Sequence, residues 1–374
     1  MHKRLLLISF DAVGNDELDK LNKLPNFSKY CASGKIWAPM TTIFNSNTYP
    51  IHASISTGKV PGEHGLYSNT VPEFDTSDRQ WNYDSRLLKG QTIWQYAHSL
   101  GLKVASSFWP VTCFDKCIDY HIPEAMSRKN ESQLLLNLRA GSKFLQLKEF
   151  LRHRHFLDGI KQPNLDNFSR ACMCDMLRET DARFAMMHLT CYDTLCHLHG
   201  KGSKEADFAL THLDESLGLL AEAAGEDTKI IVFSDHSQLN VKENLHLNKI
   251  LNLDESGYFH YTGGSAFFID NGIDSQKIEQ IKKQVLSTKG VGRLLTDEEM
   301  QQAGYPADIC PFGVCGKVGY AFDSHDHEVA THGYPVDYPD FGTFCAINDP
   351  DEKMQLSSIL DINTLVKQQL RLMR

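Results

Sequence analysis

Three segments of the chain carry continuous apolar runs that stop at an aspartate. They read RLLLISFD, ending at Asp11, RFAMMHLTCYD, ending at Asp193, and TKIIVFSDH, ending at Asp235 and His236. Runs of this length without polar alternation predict strands buried on both faces, as in a parallel sheet between helix layers. The segments QTIWQYAHSLG (91–101) and EADFALTHLDESLGLLAEAAG (205–225) have apolar positions at helical spacing. Each closes on a glycine that suits a helix stop. Alternation of the two patterns predicts the α/β class, a three-layer α/β/α sandwich around a mostly parallel central sheet.

Two stretches read differently. Residues 258–303 give strand, helix, strand (GGSAFFIDNG, SQKIEQIKKQVLST, GVGRLLT), a small α+β insert placed at 258–305. Residues 128–170 include SKFLQLKEFLRHRHFLDGI, which has helical spacing, and many bases, among them Lys143, Lys148, Arg152, Arg154 and Lys161. This stretch reads as a solvated amphipathic helix or, more pointedly, as a lid over an anionic substrate, within an insert at 115–175. No internal repeat or low-complexity segment divides the chain, so 1–374 is expected to be one domain.

The opening MHKRLLLISFDAVG begins like a signal peptide, but its apolar run is short, Asp11 ends it and no small-residue cleavage site follows. It reads as a first strand. No stretch is long and apolar enough to span a membrane, and no membrane partner is expected. The net charge of −9 argues against broad nucleic-acid binding. It leaves open a locally positive site, because bound metal ions carry charge that the count omits. Ten cysteines without a C-x-x-C pair suggest reduced structural thiols in a cytoplasm.

In open α/β sheets the ligand site lies outside the carboxyl ends of the strands. The three aspartates are expected there, and carboxylates aimed at one crevice repel unless cations hold them. Asp193 and His197 lie four apart, so one helical turn puts both on one face. Asp235 and His236 are adjacent, and His332 precedes a glycine in ATHGY. Carboxylates with neutral imidazoles suit zinc. His325 and His327 compete with His332, and His199 competes with His197. Cys191 and Cys196, which flank Asp193, are weak candidates.

The segment NSNTYPIHASISTGKVPGEHGLYSN (45–69) has neither a clean helix period nor strand alternation. Thr57-Gly58-Lys59 looks like the end of a Walker motif, but Ala53 and Val60 stand where that motif needs Gly and Ser or Thr. The segment instead resembles the pattern T-[FY]-P-x-H-x-S-I-x-T-G-x-x-P-x-x-H-G of the alkaline phosphatase superfamily, most closely its nucleotide pyrophosphatase/phosphodiesterase (type I phosphodiesterase) family. Thr48-Tyr49-Pro50-Ile51-His52, Ser54-Ile55, Thr57-Gly58, Pro61 and His64-Gly65 fit it. The likeness continues through Asp193/His197, Asp235/His236 and His332-Gly333-Tyr334.

The resemblance implies an alkaline phosphatase-like fold and two zinc ions, although other divalent metals suit such donors. One ion would be held by Asp193, His197 and His332, the other by Asp11, Asp235, His236 and the Thr48 oxygen. It implies Thr48 as nucleophile, a phospho-threonine intermediate, and Asn69 as donor to a phosphoryl oxygen. A metal-activated hydroxyl accords with that role, since a free threonine hydroxyl is a poor nucleophile near neutral pH. His52 and His64 read as scaffold and Lys59 as exposed.

The substrate class implied is a small phosphodiester or nucleotide. Related monoesterases carry Lys and Arg in the site. The corresponding KVASSFWPVT (103–112) offers no such cation near Trp109. Tyr49 could stack on a nucleobase. His188 stands where the family often has a base-sandwiching Tyr, and SDHSQ replaces the frequent SDHGM. The alternatives are a phosphomonoesterase or a phosphonate hydrolase of phosphonoacetate type. A metal-binding relative without turnover and a mutase are weaker readings. Nothing in the pattern indicates an oligomeric state.

Overall fold

The computed structural model describes residues 2–323 and 328–373. Strands β1 (Arg4–Phe10), β2 (Lys35–Met40), β3 (Val104–Ser107), β4 (Tyr120–Ile122), β5 (Phe184–Leu189) and β6 (Thr228–Phe233) enter the main sheet. Four strands of a smaller sheet follow: β7 (Gly257–Tyr261), β8 (Ser265–Asp270), β9 (Val291–Leu294) and β10 (Phe312–Gly316). The chain then returns to the main sheet as β11 (Thr343–Ile347). The seven main strands lie in the order β2-β11-β6-β1-β5-β3-β4. β6, β1, β5, β3 and β4 pair in parallel, whereas β11 is antiparallel to both β6 and β2. The sheet is therefore mixed, with one strand reversed.

The apolar runs fill both faces because successive side chains of a strand point to opposite sides. Leu6 and Ile8 of β1 join one core, Leu5 and Leu7 the other. Helices flank both faces: α1 (Thr48–Thr57), α2 (Ile93–Ser99), α3 (Gln133–Ala140), α4 (Lys143–His153), α5 (Asn164–Glu179), α6 (Cys191–His199), α7 (Lys204–Ala224), α8 (Ser275–Ser287) and α9 (Asp361–Leu372). Phe168 and Met176 of α5 with Leu213 and Leu217 of α7 cover the first face. Ile51 and Ile55 of α1, Trp94 of α2 and Leu365 of α9 cover the second. The two helices read from the pattern start at side-chain caps, Thr92 on the Gln95 N–H and Ser203 on the Ala206 N–H.

Two boundaries differ from the sequence reading. The run to Asp193 is not one strand: β5 ends at Leu189, and Asp193 lies in the first turn of α6. Residues 115–175 do not form one separate insert either. Tyr120–Ile122 is an edge strand of the main sheet, and α5 packs into its core. α3 and α4 carry the exposed Leu134, Phe144, Leu147 and Leu151, although Leu145 of α4 packs against the core. Lys148 and Arg152 pair with Glu179 and Asp175 of α5, and none of these four lines the cavity that contains Asp11, Asp193 and His332.

The smaller sheet is antiparallel in the order β9-β10-β8-β7, and Ile281 and Val285 of α8 pack on it. It extends past 303 to β10. All ten cysteines are free. No described helix is long and apolar enough to cross a membrane.

Candidate active site

The carboxyl ends of adjacent strands β1 and β6 deliver Asp11, Asp235 and His236 to one point. Ligand-type atoms of these three lie within 4.8 Å of one another. His236 Nε2 stands 3.4 Å from Asp11 Oδ1 and 3.4 Å from Asp235 Oδ2. Beside them, Asp193, His197 and His332 form a second such group. The i,i+4 spacing on α6 brings His197 Nε2 to 3.2 Å from Asp193 Oδ1. The rings of His236 and His332 are 4.2 Å apart, so the two groups adjoin. His332 can sit this close because Gly333 follows at φ +81°, where a Cβ would collide with the Thr262 carbonyl. His199 points to solvent at the end of α6 and joins neither group. His325 and His327 lie outside the described residues.

These donors suit divalent cations. Asp11 Oδ1 and Asp235 Oδ2 are buried without a hydrogen-bond partner, a costly state for a carboxylate unless a cation compensates it. Each of the three imidazoles has Nδ1 against a backbone carbonyl: His197 on Ala330 at 2.8 Å, His332 on Ser46 at 3.1 Å, His236 on Ser237 at 3.3 Å. That pairing leaves Nε2 as the lone-pair nitrogen facing the carboxylates, the arrangement common in metal sites. Burial lowers His236 to about 4 and His332 to about 3, which keeps both neutral, as ligands must be. Burial, then Asp235 and Asp193, push the Asp11 carboxyl well up. Burial would raise Asp193 too, but His197 beside it holds it well below the ordinary range.

Thr48 opens α1 with its Oγ1 3.3 Å from His236 Nε2. His52, one turn on, bonds the Thr48 carbonyl at 2.8 Å and Ser9 Oγ at 3.0 Å, fixing the start of the helix against β1. His64 meets Ser54 Oγ at 2.8 Å. Both act as scaffold. Lys59 is partly covered and lies beside Gly90. Asn69 Oδ1 accepts the Tyr49 N–H at 2.9 Å, so its amide NH2 remains available as donor. Gln238 of the SDHSQ segment donates to Asp193 Oδ1 at 2.5 Å and to its carbonyl at 3.1 Å. The departure from the frequent motif thus supplies a support for Asp193.

A cavity of about 390 Å³ opens over these groups, lined in part by Asp11, Thr48, Asn69, Asp193, His197 and His332. Tyr49 and His188 line it as well, each differently from expectation. The Tyr49 hydroxyl donates to Glu124 at 3.0 Å and its ring leans on Trp81. His188 bridges two acids, with Nε2 3.1 Å from Asp11 and Nδ1 3.4 Å from Glu124. Burial would lower His188, but Asp11 and then Glu124 raise it well above the ordinary value. Trp109 is a correction. It does not reach the cavity: it is fully buried, its indole donates to Ser56 Oγ at 3.3 Å, and it packs on His52 and Phe233. Glu124, Arg79 and Trp81 line the cavity and were missed from sequence, since they sit in irregular segments with no periodic signal.

A profile for type I phosphodiesterase / nucleotide pyrophosphatase matches residues 5–335. The chain belongs to that family. Rat ectonucleotide pyrophosphatase/phosphodiesterase family member 1 (Rattus norvegicus) is 27% identical over 241 residues, covering 61% of this chain and 23% of its own. Venom phosphodiesterase 2 of Crotalus adamanteus is 24% identical over 244 residues, covering 62% and 26%. The matched stretch is about a quarter of those curated relatives. In fold, the chain is similar to murine ectonucleotide pyrophosphatase / phosphodiesterase 5, solved as an inactive variant in complex with AMP. That likeness has a TM-score of 0.71 at 16% identity and covers 99% of this chain and 95% of that one. Phosphonoacetate hydrolase from Sinorhizobium meliloti gives a TM-score of 0.69 at 15% identity, covering 99% and 96%.

Proposed function

We propose that this chain is a zinc-dependent hydrolase of small phosphodiesters or nucleotide pyrophosphates, working through a phosphorylated Thr48. The observation that carries this reading is the position of the Thr48 hydroxyl, beside His236 and at the edge of two adjoining Asp/His groups in one cavity. Asp11, Asp235 and His236, with the Thr48 oxygen, would hold one zinc, and Asp193, His197 and His332 the other. When bound, the two ions neutralise the carboxylates, favour the Thr48 alkoxide and offset charge on phosphoryl oxygens. Thr48 Oγ loses its proton to solvent and forms the new bond to phosphorus as the bond to the leaving oxygen breaks, and the leaving oxygen takes up a proton from solvent. Water then cleaves the Thr48–phosphoryl ester. The position of Thr48 at the first turn of α1 favours negative charge on its oxygen. Asn69, fixed through its Oδ1, directs its NH2 to a non-bridging oxygen as charge develops.

Stripping the metals with a chelator should bring turnover to background, and added zinc should restore it. His332→Ala should retain one zinc equivalent fewer than wild type by elemental analysis. Full turnover in stripped protein would end the metal-dependent reading.

One observation favours monoester or phosphonate substrates. Arg79 lines the cavity, whereas no residue of the 103–112 segment, Lys103 included, does so. Zinc-loaded protein can be compared on bis-p-nitrophenyl phosphate and p-nitrophenyl phosphate. The diesterase reading expects faster diester cleavage, with Arg79→Ala shifting the ratio by less than about tenfold. Faster monoester cleavage that collapses in Arg79→Ala would hand the function to the phosphatase reading.

A further inference from the structure

Away from the cavity, α4 and α5 bring Glu149, His153 and Asp175 together. Glu149 and His153 lie four apart on α4, hence on one face, and Asp175 projects from α5. One ligand-type atom of each lies within 4.8 Å of the others. His153 Nε2 stands 2.9 Å from Asp175 Oδ2 and 3.5 Å from Glu149 Oε2. Glu149 is the unusual member. Its side chain is 0% exposed on a helix that otherwise turns much of its surface to solvent, and neither carboxylate oxygen has a hydrogen-bond partner.

The neighbouring cations do not settle its charge. Lys148 Nζ approaches Glu149 Oε1 at 3.3 Å but bonds Glu179 at 2.5 Å. Arg152 bridges Asp175 and Glu179 at 2.9 and 2.6 Å. Three carboxylates thus share two fixed cations and His153, and the most buried carboxylate is the one whose oxygens accept no hydrogen bond. A buried carboxylate with only long ion pairs and no hydrogen bond is stabilised further by a proton or by a metal ion.

The geometry points to a further zinc site formed by Glu149, His153 and Asp175, which clamps α4 onto the core helix α5. Zinc takes imidazole nitrogens and Asp or Glu oxygens as donors, and three protein ligands leave one open position. Glu149, His153 and Asp175 do not line the cavity, so the site acts on the attachment of α4 rather than on the reaction.

The test counts metal in the full chain, stripped, reloaded with Zn2+ and desalted. Wild type should carry one equivalent more than Glu149→Gln, with equal diester turnover. His153→Asn, at a partly exposed position, should show the same loss and serves if the buried substitution fails to fold. Zinc should also raise the Tm of wild type by more than that of either variant. Equal metal content in wild type and the folded variants would mean that a proton holds Glu149 beside Asp175, and the site would fall. The readout is a difference between chains that share the central groups, so it stands whatever those groups bind.

Discussion

Thr48→Ala should lose diester turnover by a factor on the order of 10⁴ or more while keeping the metal content of wild type. Removing a nucleophile from a cooperating set has costs of that size. The metal content should hold because Asp11, Asp235 and His236 remain as three ligands without the hydroxyl. The fold should hold as well. Thr48 is the first residue of α1, and alanine is a better helix former. The contacts that anchor this turn come from the Thr48 carbonyl and His52, which the substitution keeps. Thr48→Ser keeps the oxygen and should recover part of the rate. A stopped reaction in acid should leave labelled phosphoryl on Thr48 in the wild type and none in the alanine variant. Turnover within tenfold of wild type in Thr48→Ala would remove the covalent mechanism.

The two Asp/His groups were legible in the sequence for local reasons. Strand ends put Asp11 and Asp235 at the sheet edge, and a helical turn joins Asp193 to His197. The error at Asp193 itself was one of element type, since four residues of loop and helix hide behind an apolar run that looks continuous. Trp109 shows a different limit. Its neighbours Phe108 and Val111 adopt φ of +51° and +57°, and this irregular turn drops the indole under α1 rather than toward substrate. No period signals a backbone of that kind. Glu124, Arg79 and Trp81 reach the cavity through contacts made by tertiary folding, as in the Tyr49 bond to Glu124, 75 residues away. The reversed strand β11 was equally hidden, because a buried strand reads the same in either direction.

Folded stability should fall steeply as pH drops from about 6.5 towards 4, with zinc in excess at every pH. Burial lowers His64, His121 and His212 to about 4 and His260 to about 3, each from an ordinary value of 6.5. All four are away from the proposed metal ligands. His121 Nδ1 and His212 Nδ1 have no hydrogen-bond partner, so protonation would place an uncompensated charge inside. A base whose folded pKa lies below its unfolded value takes up protons first in the unfolded chain. Its contribution is present above the unfolded pKa and is lost as pH falls towards the folded one. Over the window from pH 6.5 to 4 each site can lose at most about 3.4 kcal/mol, at about 1.36 kcal/mol per pH unit. Four sites sum to the order of 10 kcal/mol, comparable to the whole stability of a typical fold. Asp166 and Glu149, both raised by burial, act in the opposite sense over the same window, but they are two groups against four. Urea midpoints measured at intervals from pH 7 to 4.5 should therefore decline. His121→Gln, which cannot take up the proton, should decline less over that range even if it starts lower. Midpoints that stay level or rise towards pH 4.5 would mean that these histidines find water or an acid on protonation, and the burial argument would fail for them.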